Sequence, residues 1–333
     1  MRIVEMFERF NGKRILVIGD VMIDAYVRGT VSRVSPEAPV PIVSLDKEEK
    51  RLGGAANVAV NLLALGASPV ICSVVGDDES GRLLRDLLHS ASISSDGLIH
   101  SASRITTVKT RVIGNNQHLL RIDAEVTDAI TSQEENALIE CVENLLKSGV
   151  DGIIFEDYNK GLLTQRCITE IICLAKEYEV KTTVDPKKDN FLSYKGVTLF
   201  KPNLKELKEG LGLHFSFSTS DGQFEAAVNQ LENELKNDIS LVTLSEHGVY
   251  IQAKGESHHI PAHIRNIADV SGAGDTVISV ATLCLVSDFP VQLIAEVSNI
   301  AGGLVCEESG VVAINKTQLL NECRELLADS IVK

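Results

Sequence analysis

Short apolar runs rich in β-forming residues alternate with helix-length amphipathic segments along most of the 333-residue chain. The apolar runs cover residues 14–20, 69–77, 151–157, 181–186, 197–203 and 240–248. The amphipathic segments cover residues 54–67, 80–91, 131–149 and 222–237, with a capping box predicted at Ser132 and Glu135. This alternation predicts an α/β fold in which a mostly parallel sheet carries helices on both faces. Ligands of such folds bind beyond the carboxyl ends of the strands.

Two segments interrupt the alternation and contain no helix-length pattern. Residues 24–52 are rich in β-branched residues and prolines, and residues 106–123 are typical of a hairpin with its turn at Gly114, Asn115 and Asn116. Together they predict a small β-sheet inserted into the α/β body over approximately 24–52 and 104–123. A flap beside the ligand edge of a sheet usually serves as a lid. A subunit interface is the alternative, and both roles are compatible.

Charge and cysteine content narrow the choice of partner and compartment. The formal net charge is −14 and there is no long basic run, so we expect no nucleic-acid or membrane partner. The seven cysteines form no C-x-x-C pair and most lie in apolar surroundings, which favours a reducing compartment. Residues 1–13 are charged throughout, and the apolar stretch after Asp275 is interrupted by Ser287, Asp288 and Pro290. We therefore expect a cytoplasmic protein.

Several catalytic motifs are absent from the sequence. There is no G-x-x-x-x-G-K-[ST], G-x-G-x-x-G, G-x-S-x-G or H-E-x-x-H motif. A P-loop kinase, a usual nicotinamide dehydrogenase, an α/β-hydrolase and a zincin are therefore disfavoured. The histidines of residues 258–263 have the spacing of alternating strand positions, so we do not interpret them as metal ligands.

The segment DVSGAGDT, residues 269–276, is the strongest candidate for a site. A glycine-rich turn that leads into a helix leaves backbone N–H groups unpaired at the positive end of the helix dipole, which is an anion site. Asp275 lies in the first turn of the predicted helix. It either complements the helix dipole or acts as a base beside the bound anion.

Two further segments are weaker candidates when each is taken alone. In GGAAN, residues 53–57, the glycines allow a ligand to approach the backbone and Asn57 offers a donor and an acceptor, but a tight turn with an N-cap explains it equally well. In KPNLKE, residues 201–206, Asn203 and Glu206 share one face of a helix start beside the predicted crevice. A plain capping box explains that pair equally well.

The combination of GGAAN, NLKE and DVSGAGDT resembles the signatures of the ribokinase-like (PfkB) carbohydrate kinases, and the likeness covers essentially the whole chain. The resemblance implies one ribokinase-like kinase domain over residues 1–333, with an inserted β lid. It also implies ATP as phosphoryl donor, Mg²⁺ as cofactor, a monovalent cation in some relatives, and a homodimer formed through the lid.

The resemblance further implies roles for individual residues. Asp275 accepts the proton of a sugar hydroxyl, and the N–H groups of Gly272, Ala273 and Gly274 receive the phosphoryl group. The implied sugar-binding residues are Asp24, Gly53, Gly54, Asn57, Lys109, Arg111, Arg121, Glu156, Asp157 and Lys187. The implied nucleotide-binding residues are Asn203, Glu206, Thr243, Ser245, Gly248 and Asn299. Glu206 holds Mg²⁺ through water, and Asp269 is a candidate ligand of a monovalent cation.

Residues 19–43, 52–59, 156–161 and 184–187 resemble more narrowly the kinases of D-glycero-D-manno-heptose 7-phosphate, which make heptose precursors of lipopolysaccharide. This implies phosphorylation of the anomeric hydroxyl to give the 1,7-bisphosphate. A substrate that carries a phosphate needs a cation, and the candidates are Lys109, Arg111, Arg121, Arg33, Lys160 and Lys187. In many bacteria that kinase is fused to a nucleotidyltransferase, and because this chain ends at Lys333 we expect a stand-alone kinase.

Two departures from the heptose-kinase pattern affect this interpretation. Glu156 stands where a small residue is expected, and residues 310–316 are more apolar than the expected threonine-bearing segment. The departure at Glu156 affects the expected contacts with the sugar, and the departure at 310–316 affects the expected loop at the nucleotide site. The alternatives are another sugar or nucleoside kinase of the same family, a catalytically silent sugar-sensing regulator on this scaffold and, more distantly, a nucleotide-binding oxidoreductase.

Overall fold

The structure is a computed structural model that describes residues 3–218 and 222–327. Its strands are β1 (Arg14–Gly19), β2 (Val21–Val34), β3 (Pro41–Gly54), β4 (Ser68–Gly76), β5 (Ser94–Ser101), β6 (Val108–Gly114), β7 (Gln117–Ala124), β8 (Gly152–Glu156), β9 (Lys181–Asp185), β10 (Leu199–Phe200), β11 (Ile239–Thr243), β12 (Val249–Ala253) and β13 (Glu256–Ile260). Its α-helices are α1 (Ile3–Glu8), α2 (Ala55–Ala64), α3 (Glu79–Ser90), α4 (Ser132–Lys147), α5 (Gln165–Glu177), α6 (Leu204–Gly210), α7 (Gln223–Leu235), α8 (Ala273–Val286), α9 (Val291–Cys306) and α10 (Lys316–Leu326).

Nine of these strands form one sheet in the order β13-β12-β11-β10-β9-β8-β1-β4-β5. The pairs from β11 to β5 are parallel, and β12 and β13 add antiparallel strands at one edge. The predicted mostly parallel α/β sheet is therefore confirmed. The chain order reverses between β1 and β8, so the carboxyl ends of these two strands border the crevice where ligands of such sheets bind.

Each face of the large sheet is covered by its own hydrophobic core. Ile15 and Val17 of β1 belong to the core that includes α2, α8 and α9, whereas Leu16 and Ile18 belong to the core that includes α4, α5 and α7. Successive side chains of a strand point to opposite faces, so a strand with a core on both sides is apolar at every position. This explains why β1 reads as an unbroken apolar run.

Helix α8 is enclosed by its neighbours. Every residue from Asp275 to Val286 is buried, and the helix packs against α2 and α9. A helix that is apolar on all sides belongs to the interior of a protein. Within the described ranges no helix has the length and apolar character needed to span a membrane.

The remaining four strands form the small sheet, in the order β3-β2-β6-β7. The inserted β-sheet predicted from the sequence is thus present, over 21–54 and 108–124 rather than approximately 24–52 and 104–123. The hairpin turn is also confirmed, with Asn115 and Asn116 at φ values of +51° and +63°. All residues of β7 are exposed, and so is Arg33 near the end of β2.

Two details of the sequence prediction are wrong. The capping box of α4 is formed by Thr131 and Glu134, not by Ser132 and Glu135, because the run TSQEE contains the motif in two overlapping registers. The strand predicted over 197–203 is reduced to Leu199–Phe200 in β10, since Pro202 and the N-cap Asn203 already lead into α6. All seven cysteines are free, and five of them are buried.

Candidate active site

The segment DVSGAGDT forms the entrance to α8. Gly272 is the N-cap residue and has a φ of +79°, a left-handed conformation that glycine adopts without strain. Of the three N–H groups predicted to receive a phosphoryl group, that of Ala273 donates to the carbonyl of Val270 at 3.3 Å. The first N–H groups of a helix have no partner within it, so the turn offers amides at the positive end of the dipole.

Asp275 is 5% exposed and is held from two sides. Its Oδ2 accepts a hydrogen bond from Nδ2 of Asn57 on α2 at 2.6 Å, and its Oδ1 accepts one from the hydroxyl of Tyr158 at 2.9 Å. Tyr158 lies in the loop that follows β8. The carboxylate is therefore fixed by one residue from each of two other parts of the chain.

The surroundings of Asp275 tune its proton affinity. Burial and the nearby Asp185 carboxylate together raise the pKa of Asp275 to about 6, although the hydrogen bonds from Asn57 and Tyr158 and the charge of Lys201 offset part of the rise. A carboxylate with this pKa is deprotonated at neutral pH and holds a proton more tightly than an ordinary aspartate. Both properties suit a general base that works near neutral pH.

Asp275 belongs to the carboxylate cluster, which consists of Glu156, Asp185 and Asp275. One oxygen from each residue lies within 4.8 Å of the others, and all three residues are buried. Glu156 and Asp185 are paired neighbours at the carboxyl ends of β8 and β9. Within residues 3–218 and 222–327, neither carboxylate oxygen of Glu156 has a hydrogen-bond partner. Burial, together with the charges of Asp185 and Asp275, raises the pKa of Glu156 well above its usual value.

Two lysines lie beside the carboxylate cluster. Lys201 Nζ is 2.8 Å from Asp185 Oδ2, and Lys187 Nζ is 3.8 Å from Asp185 Oδ1 and 2.8 Å from Glu206 Oε1. Burial alone lowers the pKa of Lys187, but Asp185 and Glu206 more than offset this and raise it. Both lysines therefore carry a positive charge at neutral pH. The sequence placed Lys187 only near a strand end, and the structure shows that it contacts Asp185 and Glu206.

Asn203 and Glu206 form the capping box of α6. Asn203 Oδ1 accepts from the Glu206 N–H at 2.8 Å, and Glu206 Oε2 accepts from the Asn203 N–H at 2.9 Å. The capping interpretation is therefore confirmed. Lys187 occupies the second oxygen of Glu206, so the carboxylate has little freedom to bind a metal ion directly. The binding of Mg²⁺ through water remains a prediction.

Five of the residues predicted to bind the sugar, Asp24, Gly53, Gly54, Asn57 and Arg111, lie where the small sheet joins the large one. Asp24 of β2 is buried and accepts a hydrogen bond from Arg111 of β6. A side chain at Gly53 would overlap the Asp24 carboxylate, and Gly54, with a φ of +58°, ends β3 beside the Asp20 carbonyl. Asn57 follows on α2 and contacts Asp275, so GGAAN connects this junction to α8.

The basic residues of the small sheet, and Lys160 in the loop after β8, differ in exposure and pairing. Lys109 and Lys160 are mostly buried and share one acid, with Nζ to Glu125 distances of 3.1 and 2.7 Å. Arg121 is paired with Asp123 at 2.9 Å, and its side chain is 58% exposed. Lys109, Lys160 and Arg111 therefore lie towards the junction with the large sheet, whereas Arg121 faces solvent.

The side chain of Asp157 differs from those of Glu156 and Tyr158, because none of its described hydrogen bonds reaches the carboxylate cluster, although its backbone N–H donates to the Asp185 carbonyl at 3.1 Å. Its Oδ2 accepts from the Tyr194 hydroxyl at 2.7 Å and from Nδ2 of Asn190 at 3.0 Å, and its Oδ1 accepts from the Asn159 N–H at 2.8 Å. These contacts tie the loop after β8 to the residues that follow β9. They give Asp157 a structural role, and its predicted contact with the sugar stays untested.

Sequence reasoning assigned no role to four residues that shape the site. Tyr158 and Asp185 lie inside the segments EDYNKG and VDPK, and Lys201 begins KPNLKE, but only the fold reveals their contacts with Asp275 or with each other. Asp20, directly after β1, accepts hydrogen bonds from the N–H groups of Tyr158 and Lys160 and so orients that loop. The only signal in the sequence was their position at the ends of apolar runs.

A groove of about 660 Å³ opens on the other side of the α8 turn, and we call it the α8–α9 groove. Its lining includes Thr243, Ser245, Gly248, Asn299, Ala273 and Gly274. The structure therefore brings four of the six predicted nucleotide-binding residues together with the start of α8. The lining also contains three exposed apolar side chains, those of Ile264, Ile267 and Val270.

Asp269 and the histidines of residues 258–263 have structural partners. The carboxylate of Asp269 accepts from the N–H groups of Ser271 (2.9 Å) and Gly310 (3.1 Å), and its role towards a monovalent cation remains a prediction. His258 and His259 lie in β13, as predicted, whereas His263 lies beyond the end of that strand at Ile260. Among the described residues, the group whose spacing suits a metal ion is the carboxylate cluster, which contains no histidine.

Comparison with known proteins identifies the class to which this fold and site belong. The model of the pfkB family of carbohydrate kinases matches residues 13–318. The chain belongs to the pfkB carbohydrate kinase family, as the sequence resemblance implied.

Relatives and solved structures refine this placement. The bifunctional protein HldE of Methylobacillus flagellatus is 39% identical over 308 residues, covering 92% of this chain and 62% of the relative. HldE of Citrifermentans bemidjiense is 37% identical over 326 residues, covering 97% and 66%. The chain thus spans just under two thirds of these relatives.

Two solved structures share the fold at low sequence identity. Phosphofructokinase-2 from Escherichia coli in complex with potassium has a TM-score of 0.77 at 17% identity and covers 95% of this chain and 99% of its own. Ribokinase of Arabidopsis thaliana complexed with ribose and ATP has a TM-score of 0.69 at 17% identity, covering 93% and 99%. At these identities the likeness shows the ribokinase-like fold alone.

Proposed function

We propose that this chain is an ATP-dependent sugar kinase that phosphorylates the anomeric hydroxyl of D-glycero-D-manno-heptose 7-phosphate to the 1,7-bisphosphate. The observation that carries the proposal is the position of Asp275. Its buried carboxylate lies beside Glu156, Asp185 and Asn57. Ala273 and Gly274 of the same turn line the α8–α9 groove. A sugar hydroxyl and a terminal phosphoryl group would therefore meet at the first turn of α8.

Asp275 is the general base of the proposed reaction. It takes the proton of the sugar hydroxyl while the hydroxyl oxygen attacks the γ-phosphorus of ATP and ADP leaves. Asn57 and Tyr158 hold the carboxylate in one orientation, because each of its oxygens accepts one of their hydrogen bonds. General-base catalysis contributes typically ~10²- to 10⁴-fold in rate.

The amides at the start of α8 provide the electrostatic part of the mechanism. Backbone N–H groups and the helix dipole stabilise the charge on the transferred phosphoryl group, which is where most of the catalysis of phosphoryl transfer lies. The groove beside them, with Thr243, Ser245, Gly248 and Asn299 in its lining, is large enough for a nucleotide. Bound Mg²⁺ neutralises phosphate charge, and Glu206 with Asn203 would hold it through water.

The choice of substrate rests on the sequence resemblance and on the basic residues at the sheet junction. Segments 19–43 and 156–161 support a heptose 7-phosphate kinase, and all the curated relatives described above carry the name HldE. Lys109 and Lys160 are mostly buried near the proposed sugar site, where both contact Glu125 and Lys109 also contacts Asp123 at 3.3 Å. We propose that they bind the 7-phosphate, since a phosphate gains most from cations that are partly desolvated.

The substrate is tested by measuring ADP release with heptose 7-phosphate, unphosphorylated heptose, fructose 6-phosphate and ribose. We expect kcat/KM for heptose 7-phosphate to exceed the others by at least about 10²-fold, mainly through KM. Unphosphorylated heptose and ribose lack the phosphate contacts, and fructose 6-phosphate carries its phosphate on a chain that is one carbon shorter. Preference for ribose or fructose 6-phosphate would contradict the proposed substrate but would leave the proposal of a sugar kinase intact. ADP release with none of them would favour a sugar-sensing regulator.

We also propose that the single kinase domain forms a homodimer through the small sheet. Val34, Leu45, Leu120 and Ile122 of this sheet are between 53% and 64% exposed, and such apolar exposure is typical of an interface. Leu120→Lys should convert the dimer to a monomer in light scattering. The control Leu326→Lys, at an exposed leucine of α10, should leave the dimer intact. A monomeric wild-type protein would contradict the proposal.

A further inference from the structure

The carboxylate cluster contains one residue that the roles above do not explain. Glu156 is 0% exposed, and neither of its carboxylate oxygens has a hydrogen-bond partner in the part of the chain that the structure describes. Its neighbours Asp185 and Asp275 do have partners, in Lys201, Asn57 and Tyr158. Burying a polar group without a partner is costly, and burying it beside two like charges is more so. A group in this position indicates a missing ligand.

The chemistry of the cluster defines that ligand. One oxygen of Glu156, one of Asp185 and one of Asp275 lie within 4.8 Å of each other, and all three groups are carboxylates. Sets of oxygen donors without nitrogen or sulfur suit hard cations such as Mg²⁺ and Mn²⁺. Opposite ligands of an octahedral Mg²⁺ ion are about 4 Å apart, so small side-chain rotations would bring these donors to one ion.

The lysines do not replace such a cation. Lys201 is bound to Asp185, and Lys187 is shared between Asp185 and Glu206. The two ammonium groups therefore face four carboxylates, which are the three of the cluster and that of Glu206. One divalent cation would bring the local charges into balance, and it would give Glu156 the contact that it lacks.

We propose that Glu156, Asp185 and Asp275 bind one divalent cation directly, in the absence of nucleotide. The residue that makes this possible is Glu156, which stands where the sequence pattern led us to expect a small residue. A small residue there would leave three carboxylates beside Lys187 and Lys201 instead of four, and it would remove the oxygens that lack a partner. The role of this cation in positioning the acceptor hydroxyl rests on the proposed kinase function, but its binding does not.

The experiment is a titration of the nucleotide-free protein with Mn²⁺, in which electron paramagnetic resonance counts the free ion. We expect the wild type to bind one Mn²⁺ per chain, and Mg²⁺ to compete for the same site. Glu156→Gln keeps the size of the side chain and removes its charge, and it should weaken binding by about tenfold or more. Glu143→Gln, at an exposed carboxylate of α4, is the matched control and should bind like the wild type.

Thermal unfolding supplies a second readout that separates binding from folding. The melting temperature of the wild type should rise with Mn²⁺, because a ligand of the native state stabilises it. Glu156→Gln should fold and lose most of this rise. Absence of saturable Mn²⁺ binding by the wild type, or equal binding by the glutamine variant, would overturn the inference. If one of these two results is obtained and the wild type still releases ADP with a sugar, the cation site is wrong but the proposed kinase function stands.

Discussion

The two sides of the α8 turn are built from opposite kinds of surface. On one side, Asp275 and Glu156 are almost completely buried among polar groups at fixed distances. On the other, the α8–α9 groove presents exposed apolar side chains, among them Ile264 and Ile267. The same helix start therefore joins a closed, highly polar site to an open, adaptable one.

This contrast teaches where single substitutions should matter. A buried polar group has no solvent to replace a lost partner, so each change on the closed side carries a large effect. An exposed apolar contact contributes only in proportion to the area it covers in the complex. Changes on the closed side should therefore alter catalysis, and changes in the groove should alter nucleotide affinity by small factors.

The largest effect should come from Asp275→Asn. The asparagine fills the same space but cannot accept the hydroxyl proton, so kcat should fall by about 10²- to 10⁴-fold. Binding of ATP should change little, which calorimetry can check. Asp288→Asn, just beyond the other end of α8 and 76% exposed, is the matched control and should retain activity. Near-normal turnover of the Asp275 variant would remove it from the role of base.

Acid should reduce activity through the same residue. Burial raises the pKa of Asp275 from 3.8 to about 6, and the base works only when deprotonated. Activity should therefore be full above about pH 7 and kcat/KM should fall towards tenfold per pH unit below pH 6. The measurement is a pH–rate profile with circular dichroism at each point. A profile that is flat down to pH 5 in folded protein would contradict the assignment.

Tyr158→Phe should produce a smaller change of a specific kind. The Tyr158 hydroxyl donates to Asp275 and lowers its pKa, so the variant should have a higher apparent pKa and an acid limb shifted upward. We expect kcat at pH 7 to fall by up to about tenfold. Tyr250→Phe, which removes a buried hydroxyl bonded to Gln252, should leave the profile unchanged. An unshifted limb would show that Tyr158 does not tune the base.

The smallest effect should come from the open side. Ile267 is 58% exposed in the groove, and Ile267→Ala removes part of the apolar lining of the groove proposed to bind the nucleotide. KM for ATP should rise about two- to fivefold with kcat unchanged. Steady-state kinetics with Leu326→Ala as the control will test this. A fall in kcat comparable to that of Tyr158→Phe would erase the contrast between the two sides.

The sequence predicted the parts of the fold that depend on local pattern. The apolar run at 14–20 became β1, and the hairpin at Asn115 and Asn116 formed as expected, because period, turn residues and glycines act over a few positions. Where two patterns overlapped, as in TSQEE, the boundary moved by one residue. Such a choice depends on packing, which the sequence does not display.

The site was predictable only where a motif carried its own chemistry. Asp275 stood out because two glycines and an acid at a helix start need an explanation. Tyr158 did not, because its hydrogen bond to a residue 117 positions away exists only after β8 and α8 are brought together. Glu156 was noticed as a departure from a pattern, and its lack of a partner became visible only in the fold.

The enclosure of α8 has a consequence for heat inactivation. Since Asp275 and the residues up to Val286 are all packed in the interior, the geometry around the carboxylate cannot loosen while the rest of the helix stays in place. Under the proposed mechanism, loss of turnover on heating should coincide with global melting rather than precede it. The exposed strand β7 lacks this coupling and can fray at temperatures where catalysis still proceeds.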